Sequence, residues 1–205
     1  MIHIDRVSVM NLENALRGAR NPMNSWEKSD SFYDQNGNFI LGENDLNLAS
    51  RLCKAGSDHR KFMRQIFVSA DITAPLYWWK EYDTYKVGTT ANSTSTMHKI
   101  HSKPFELKDF SSDRMTGESV EMLRQLLLYL ESLRNEYNRT KDKALWYSMI
   151  QLLPSGYNQL RTCTLTYEGI RNMYFARRNH KLDEWRSFCS WVETLPYAKE
   201  LITVE

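Results

Sequence analysis

Hydrophobic positions recur along the chain with two different periods. Residues 5–12, DRVSVMNL, alternate and predict a first strand. Leu12, Ala15, Leu16 and Ala19 then share one face of a short helix, with Asn11 placed to cap it. Residues 21–42 are rich in Asn, Asp, Ser and Gly and read as a long surface loop or hairpin, turning at Asn36-Gly37. Leu46, Ala49, Leu52 and Cys53 return at helical spacing within 44–55, and Gly56 stops that helix. Alternation resumes over 64–72, where Ile66, Val68, Ala70 and Ile72 fall on one face of a second strand. Pro75 suits the first turn of a helix running to about Lys86. Residues 99–115 are polar and irregular. The longest helix covers about 117–138, with Val120, Leu123, Leu126, Leu127, Leu130, Leu133 and Tyr137 as its apolar stripe. Another covers about 142–152 and ends at Leu153-Pro154. Residues 159–168 read equally well as a strand, with Thr162, Thr164 and Thr166 alternating against Cys163, Leu165 and Tyr167, or as the start of a helix continuing to Arg178. A last helix over about 182–194 turns Trp185, Phe188, Cys189 and Val192 inward. Strands mixed with helices that dominate the C-terminal half predict an α+β fold, in one domain over residues 1–205.

One stretch raises a chemical question. In YWWKEYDTYKVGTTANSTSTMHK, residues 77–99, the rings of Tyr77, Trp78, Trp79, Tyr82 and Tyr85 go nearly all round a helix, with Lys80, Glu81, Asp83 and Lys86 among them. Such a helix is either buried in a core or subunit interface, or presents rings to a planar ligand. The first reading is the ordinary one for such a helix; charges set in apolar surface strengthen the second, because they are costly unless paired or facing a polar group. After Gly88 come Thr89, Thr90, Ser93, Thr94, Ser95 and Thr96. They form either a solvated turn or a loop whose hydroxyls and backbone N–H groups bind phosphate and carbonyl oxygens. Arg171, Arg177 and Arg178, near the end of a predicted helix, either complement its C-terminal dipole or form a fork for a phosphate.

Composition narrows the classes. Hydrophobic residues at 41%, charged residues at 25% and aromatics at 12% describe a globular chain rather than a disordered one. The 27 basic and 25 acidic residues nearly balance, which argues against a dedicated nucleic-acid binder but leaves nucleotide binding open. No apolar run approaches the ~20 residues of a membrane span. The charged opening MIHIDRVSVM lacks a leader's apolar segment, so a cytoplasmic protein is expected. The sequons at Asn92 and Asn138 then carry no weight. Cys53, Cys163 and Cys189 are far apart and are expected to be buried thiols in a reducing compartment. His98 and His101 have helical spacing but no acidic or cysteine partner at ligand spacing, so no metal site is expected. Neither a GxGxxG nor a GxxxxGK[ST] phosphate loop occurs, nor HExxH or GxSxG.

The order of these segments resembles the flavin-dependent thymidylate synthase family, which makes dTMP from dUMP with methylenetetrahydrofolate, FAD and NADPH. HRKFMRQIFVSADITAP (59–75) is similar to the family's opening histidine and strand. PLYWWKEYDTYK (75–86) runs in step with its P....RQ..RHR, placing Lys80 and Glu81 on Arg-Gln and Thr84, Tyr85 and Lys86 on Arg-His-Arg. TANSTSTMH (90–98) falls on S.NE.SgRY, with Asn92 and Ser95 of the family type, Ser93 in place of Glu and Met97 in place of Arg. Leu153-Pro154 matches a later LP, DEWR (183–186) resembles AQwE, and GARNP (18–22) is similar to an early aaR. The likeness runs loosely from about residue 5 to 195.

The resemblance implies a mixed sheet with long helices in the C-terminal half, and a homotetramer with sites shared between subunits. Flavin contacts would fall to His59, Tyr85, Lys86, Asn92 and Asn172. Pyrimidine-nucleotide contacts would fall to Lys80, Glu81, Ser93, Ser95, Arg177 and Arg178, with Ser95 and Arg177 near the phosphate. It implies electrostatic polarisation of the uracil without a cysteine nucleophile, and it identifies no catalytic residue. The signature RHR-x7-SxR reads TYK-x8-STM here. Tyr85 can hydrogen-bond and stack without imidazolium charge, Lys86 keeps charge without a planar fork, and Met97 keeps neither. Losing a bidentate arginine weakens phosphate binding by roughly 1.5–3 kcal/mol unless it is replaced. Arg178, Lys99 and Arg171 are the candidate replacements. The alternative implication is a nucleotide-binding or regulatory homologue without flavin chemistry.

Overall fold

The structure is a computed structural model, in which residues 2–205 are described. In chain order the elements are β1 (His3–Met10), α1 (Leu12–Arg20), β2 (Phe32–Tyr33), β3 (Phe39–Ile40), α2 (Glu43–Lys54), β4 (Phe67–Pro75), α3 (Leu76–Tyr82), β5 (Thr90–Ser93), α4 (Gly117–Thr140), α5 (Lys143–Gln151), β6 (Asn158–Thr166), α6 (Tyr167–Arg177), α7 (Asp183–Val192) and α8 (Ala198–Leu201). Four strands form a sheet in the order β1-β4-β6-β5, and β2 pairs antiparallel with β3, Phe32 opposite Ile40. The fold is α+β, as the patterning predicts.

The chain groups into two compact units. The first comprises residues 2–3 with Ile72–Thr84 and Asn92–Arg161; the second comprises Ile4–Asp71, Tyr85–Ala91 and Thr162–Glu205.

The first unit is built on α4 and α5. Leu123, Leu127, Leu130 and Leu133 are buried on one stripe of α4 and join Met149, Ile100, Phe105 and Phe110 in a core. Thr116 caps α4 by accepting from Ser119 N, and Asp142 caps α5 by accepting from Ala144 N at 2.9 Å. Lys141, at φ 59°, makes the left-handed turn between the two helices.

The second unit buries Ala15, Leu16, Ala49 and Cys53 against the turn at 60–65, and Trp185, Phe188 and Val192 on the inner face of α7. Its α1 and α2 are tied by a buried ion pair. Arg20 Nε donates to Asp45 Oδ1 at 2.6 Å, and Asp45 Oδ2 accepts from the hydroxyls of Ser29 and Ser31 at 2.6 and 2.5 Å. Arg20 also donates to the carbonyls of Ser25 and Lys28, both at 3.1 Å. The polar stretch after α1 is thereby wrapped round a charge pair that holds it in place.

Three local expectations change and one open reading is decided. The helix after Pro75 ends at Tyr82 instead of near Lys86, and Pro75 is the last residue of β4. Thr84 Oγ1 takes the Glu81 carbonyl at 2.7 Å, and Asp83 is drawn to Arg161, so the backbone leaves the helix there. Asn11 stands at the start of α1 but does not cap it: with φ at 71° its Nδ2 reaches Gln65 O at 2.8 Å instead. The ambiguous 159–168 stretch is a strand through Thr166, which then caps α6 by accepting from Gly169 N at 3.1 Å. α8 is too short to leave a periodic signal. The Asn-Gly turn, with Gly37 at φ 79°, and the helix stop at Gly56, at φ 112°, form as predicted.

Candidate functional site

In the first unit the aromatic helix α3 is a support. Trp78, Trp79 and Tyr82 are buried and pack on one another with centroids 4.9–5.2 Å apart. Lys80 is exposed and Glu81 half-buried, so the charges lie on the open side of the helix and not within its apolar face. Trp79 Nε1 donates to Gln159 O at 3.0 Å, and the Arg161 guanidinium lies 4.2 Å over the Trp79 ring. Arg161 also donates to Asp83 at 2.6 Å and to Gln159 Oε1 at 3.0 Å. Gln159 Nε2 in turn donates to Thr94 O at 2.7 Å, while Thr94 N donates to Leu160 O at 2.9 Å. The rings thus hold β6, and β6 holds the start of the hydroxyl loop.

That loop opens on a cavity of about 500 Å³. Its walls are Thr73, Thr94, Ser95, Ser102 and Asn158 as polar groups, Lys99, Lys103 and Lys108 as cations, Asp109 as an acid, and Ile100, Pro104, Phe105, Tyr157 and Leu160 as mostly apolar surface. A concave site of this size with a few convergent polar groups suits a small ligand. Ser95 Oγ accepts from the backbone N–H groups of Met97 and His98 at 3.2 and 2.8 Å, which folds the loop back on itself. Asp109 holds Lys103 Nζ at 2.8 Å, an interaction that raises the Lys103 pKa above its ordinary value. Burial pushes the Tyr157 hydroxyl's pKa up, keeping it a neutral donor.

Asn92, Ser93 and Met97 are exposed beside this loop. Lys103, Lys108 and Asn158 escaped the sequence reading. The only trace of the two lysines is a lysine every four to five residues through an irregular segment, which is indistinguishable from solvated surface until the backbone closes round it, and Asn158 at the start of β6 leaves none.

In the second unit Tyr85, Arg177 and Trp185 come together. Arg177 Nε donates to Tyr85 Oη at 2.8 Å, and its guanidinium lies 4.9 Å from the Trp185 ring and 5.5 Å from that of Tyr85. Gly88, at φ 72°, closes the turn after Tyr85; a side chain there would meet Thr166 at 3.3 Å. Thr89 Oγ1 returns to Tyr85 O. His59, Lys86, Asn172 and Arg178 are exposed, and Arg178 pairs with Glu205 at 2.6 Å.

Arg171 is removed from the candidates for anion binding. It is buried and donates to the carbonyls of Ile202 and Val204 at 2.7 and 2.6 Å, locking the C-terminal segment. The three arginines near the end of α6 therefore diverge and form no fork. Cys53, Cys163 and Cys189 are buried and not disulfide-bonded, and burial raises the thiols of Cys53 and Cys189 to about 11. Among the described residues no group of three His, Cys, Asp or Glu could hold a metal ion, and no helix is long and apolar enough to cross a membrane.

No protein-family model and no curated protein sequence matches the chain. Solved structures do. Thymidylate synthase X from Helicobacter pylori, crystallised with FAD and dUMP, superposes with a TM-score of 0.74 over 99% of this chain and 98% of that one, at 15% identity. A second structure of the Helicobacter pylori enzyme with FAD and dUMP gives 0.72 over 97% and 98%, at 16% identity. The UMP/dUMP methylase PolB from Streptomyces cacaoi, bound with 5-Br dUMP, gives 0.62 over 99% and 95%, at 15% identity. The chain has the fold of flavin-dependent thymidylate synthase.

Proposed function

We propose that this protein binds a pyrimidine nucleotide and carries out its reductive methylation in the cytoplasm, dUMP to dTMP or a related conversion, with FAD as cofactor and NADPH and methylenetetrahydrofolate as co-reactants. The observation that carries the reading is that, within a fold shared with proteins solved with FAD and dUMP, Ser95 lines a nucleotide-sized cavity. Ser95 belongs to the loop that the resemblance gives to the nucleotide.

The donor set fits a flavin in kind. His59, Lys86, Asn92 and Asn172 are exposed and supply an imidazole, one cation and two amides. Lys86 would meet the diphosphate, and the amides would meet the carbonyls and nitrogens of the ring. When bound, the flavin supplies the hydride that completes methylation. Ser95 donates to the nucleotide, with Lys80, Glu81, Ser93, Arg177 and Arg178 as further proposed contacts. Activation of the uracil is electrostatic, in keeping with three buried cysteines, of which Cys53 and Cys189 stay protonated at neutral pH. Met122, Leu128 and Tyr129 stand exposed on α4 and supply apolar surface for the proposed homotetramer.

A second reading, a nucleotide-binding homologue without flavin chemistry, is favoured by Tyr85. Its hydroxyl is engaged by Arg177, where the family pattern has a histidine. Two measurements separate the readings: the absorption spectrum of the purified protein, and its melting with FAD and with dUMP. A yellow protein stabilised by both ligands supports methylation, and growth rescue of a thymidine-requiring strain would establish it. A colourless protein stabilised by dUMP alone supports the second reading. Indifference to both ligands refutes the two together.

A further inference from the structure

The second unit carries a cavity of about 760 Å³ between the β2–β3 hairpin, the start of α1 and the turn at Pro196-Tyr197. None of the residues in its wall is among the proposed flavin or nucleotide contacts. Among the described residues, Glu13 is the only charged side chain in that wall. Tyr33 Oη donates to Glu13 Oε2 at 2.5 Å, and the carboxylate in turn raises the phenol's pKa, so Tyr33 stays the donor. Glu13 makes no ion pair among the described residues, which leaves Oε1 as an acceptor. Arg17, one turn further along α1, gives its guanidinium to Asn14 Oδ1 at 3.3 Å.

The three amides of the wall differ in what they have left to offer. Asn14 Nδ2 donates to Asn11 Oδ1 and Asn11 Nδ2 to Gln65 O, both at 2.8 Å, so these two side chains are engaged at both ends. Asn38 Nδ2 donates to Asp34 Oδ2 at 3.0 Å. A carboxylate can only accept, so that bond fixes the orientation of the amide and leaves its Oδ1 to accept. Asp34 also adds a second negative charge behind Asn38. The rings of Tyr33 and Phe39 meet with centroids 5.3 Å apart, and Tyr197 is held in the wall by Leu41 N, which donates to its hydroxyl at 2.9 Å. The positive end of α1 lies close, but it amounts to about half a unit charge against the full charge of Glu13. Acceptors, negative charge, aromatic faces and apolar surface at Val9 and Ile40 together complement an organic cation.

We propose that this cavity binds a small organic cation, a primary amine on an aryl or alkyl body. Its ammonium group donates to Glu13 Oε1 and Asn38 Oδ1, and its body lies against Tyr33, Phe39 and Ile40. An ammonium, with three donors that can point to separate acceptors, suits this wall better than the alternatives. A quaternary ammonium has no proton to give, and a guanidinium fork needs both carboxylate oxygens where Tyr33 already takes one. A phosphate is disfavoured, because no cation lines the wall and Glu13 repels it. Tyr33 is a positioning residue that fixes the carboxylate as well as part of the aromatic surface.

The test is a titration of the full chain with phenethylamine and with its neutral counterpart 2-phenylethanol, followed by amide chemical shifts. The proteins are the wild type, Glu13→Gln, which keeps an acceptor for Tyr33, Tyr33→Phe, which keeps the ring, and Phe39→Leu. Phenethylamine is expected to shift the amides of Glu13, Gly37, Asn38 and Phe39 saturably, and to bind the wild type more tightly than the alcohol. Glu13→Gln should weaken the amine by about fivefold and leave the alcohol unchanged. Tyr33→Phe, with both carboxylate oxygens open, should hold the amine at least as tightly as the wild type. Phe39→Leu should weaken both ligands. Unliganded melting temperatures check that each variant is folded. Equal affinities for amine and alcohol, or an amine affinity unchanged in Glu13→Gln, overturn the cation. Shifts confined to residues outside the cavity, or no binding at all, overturn the site. The stabilisation of the wild type by dUMP and FAD, measured separately, decides the proposed function whichever way these titrations fall.

Discussion

The two units use their cations in opposite ways. In the second, the buried guanidiniums of Arg20 and Arg171 are committed to the protein itself, one to Asp45 and two carbonyls, the other to the carbonyls of the C-terminal segment. In the first, Lys99 and Lys108 stand in water around a cavity, one without an ion pair among the described residues and one loosely paired. A planar fork with five donors suits a site where every donor finds an oxygen and none is left unmet, whereas a flexible ammonium keeps its hydration until a ligand arrives. Counting basic residues would treat the two sets alike; burial separates structure from readiness to bind.

The largest test of that contrast is Asp45→Ala, which strands Arg20 in the interior. It is expected to cost about 3–5 kcal/mol in urea unfolding. The same pair makes stability depend on acid. Burial alone would raise the Asp45 carboxyl, but the hydrogen bonds from Ser29, Ser31 and Arg20 outweigh it and hold the pKa below the usual value. Its contribution is therefore fully present above the ordinary aspartate range of about 4 and is lost as pH falls through the depressed value. Unfolding titrations should show this loss in the wild type and not in Asp45→Ala.

Arg171→Met keeps the apolar stem but deserts the carbonyls of Ile202 and Val204. About 2 kcal/mol is expected, with faster proteolysis of the C-terminal residues. A result near zero would mean that water replaces the guanidinium, and the contrast between the units would weaken. Trp79→Phe removes the bond to Gln159 O from a buried site and should cost about 1–1.5 kcal/mol. It should also loosen the Thr94 end of the loop, visible as faster amide exchange there. Lys108→Ala should leave stability unchanged within the precision of an unfolding titration, since the pair it makes with Glu106 is open to water. A larger loss would show that this lysine is structural, as Arg171 is.

Much of this architecture is legible in the sequence because it follows from local periodicity. The alternation of Ile66, Val68, Ala70 and Ile72, the stripe of α4 and the inward face of α7 need no knowledge of their partners, only that one side is apolar. Gly37 and Gly56 announce turns because left-handed backbone is costly for other residues. The candidate site was only partly legible. Ser95 and the loop around it stood out by their chemistry, and Arg177 and Tyr85 by their place in a family-like order. Their partnership across 92 residues of chain did not. The rings of α3 read first as core, with a ligand as the alternative because charges sat among them; seven residues of helix leave Lys80 on the open side while the tryptophans face inward.

By itself, then, the sequence determined the long helices and the strands near residues 5–12 and 64–72, the α+β class, and the segment where hydroxyls gather, while 159–168 stayed open between strand and helix. Each depends on neighbours within a few positions along the chain. Only the tertiary structure decided which cations remain available. Arg171 and Lys99 carry the same charge. One meets carbonyls of the C-terminal segment, the other water at a cavity mouth, and burial and partners set by distant segments make the first structural and leave the second open to an anion.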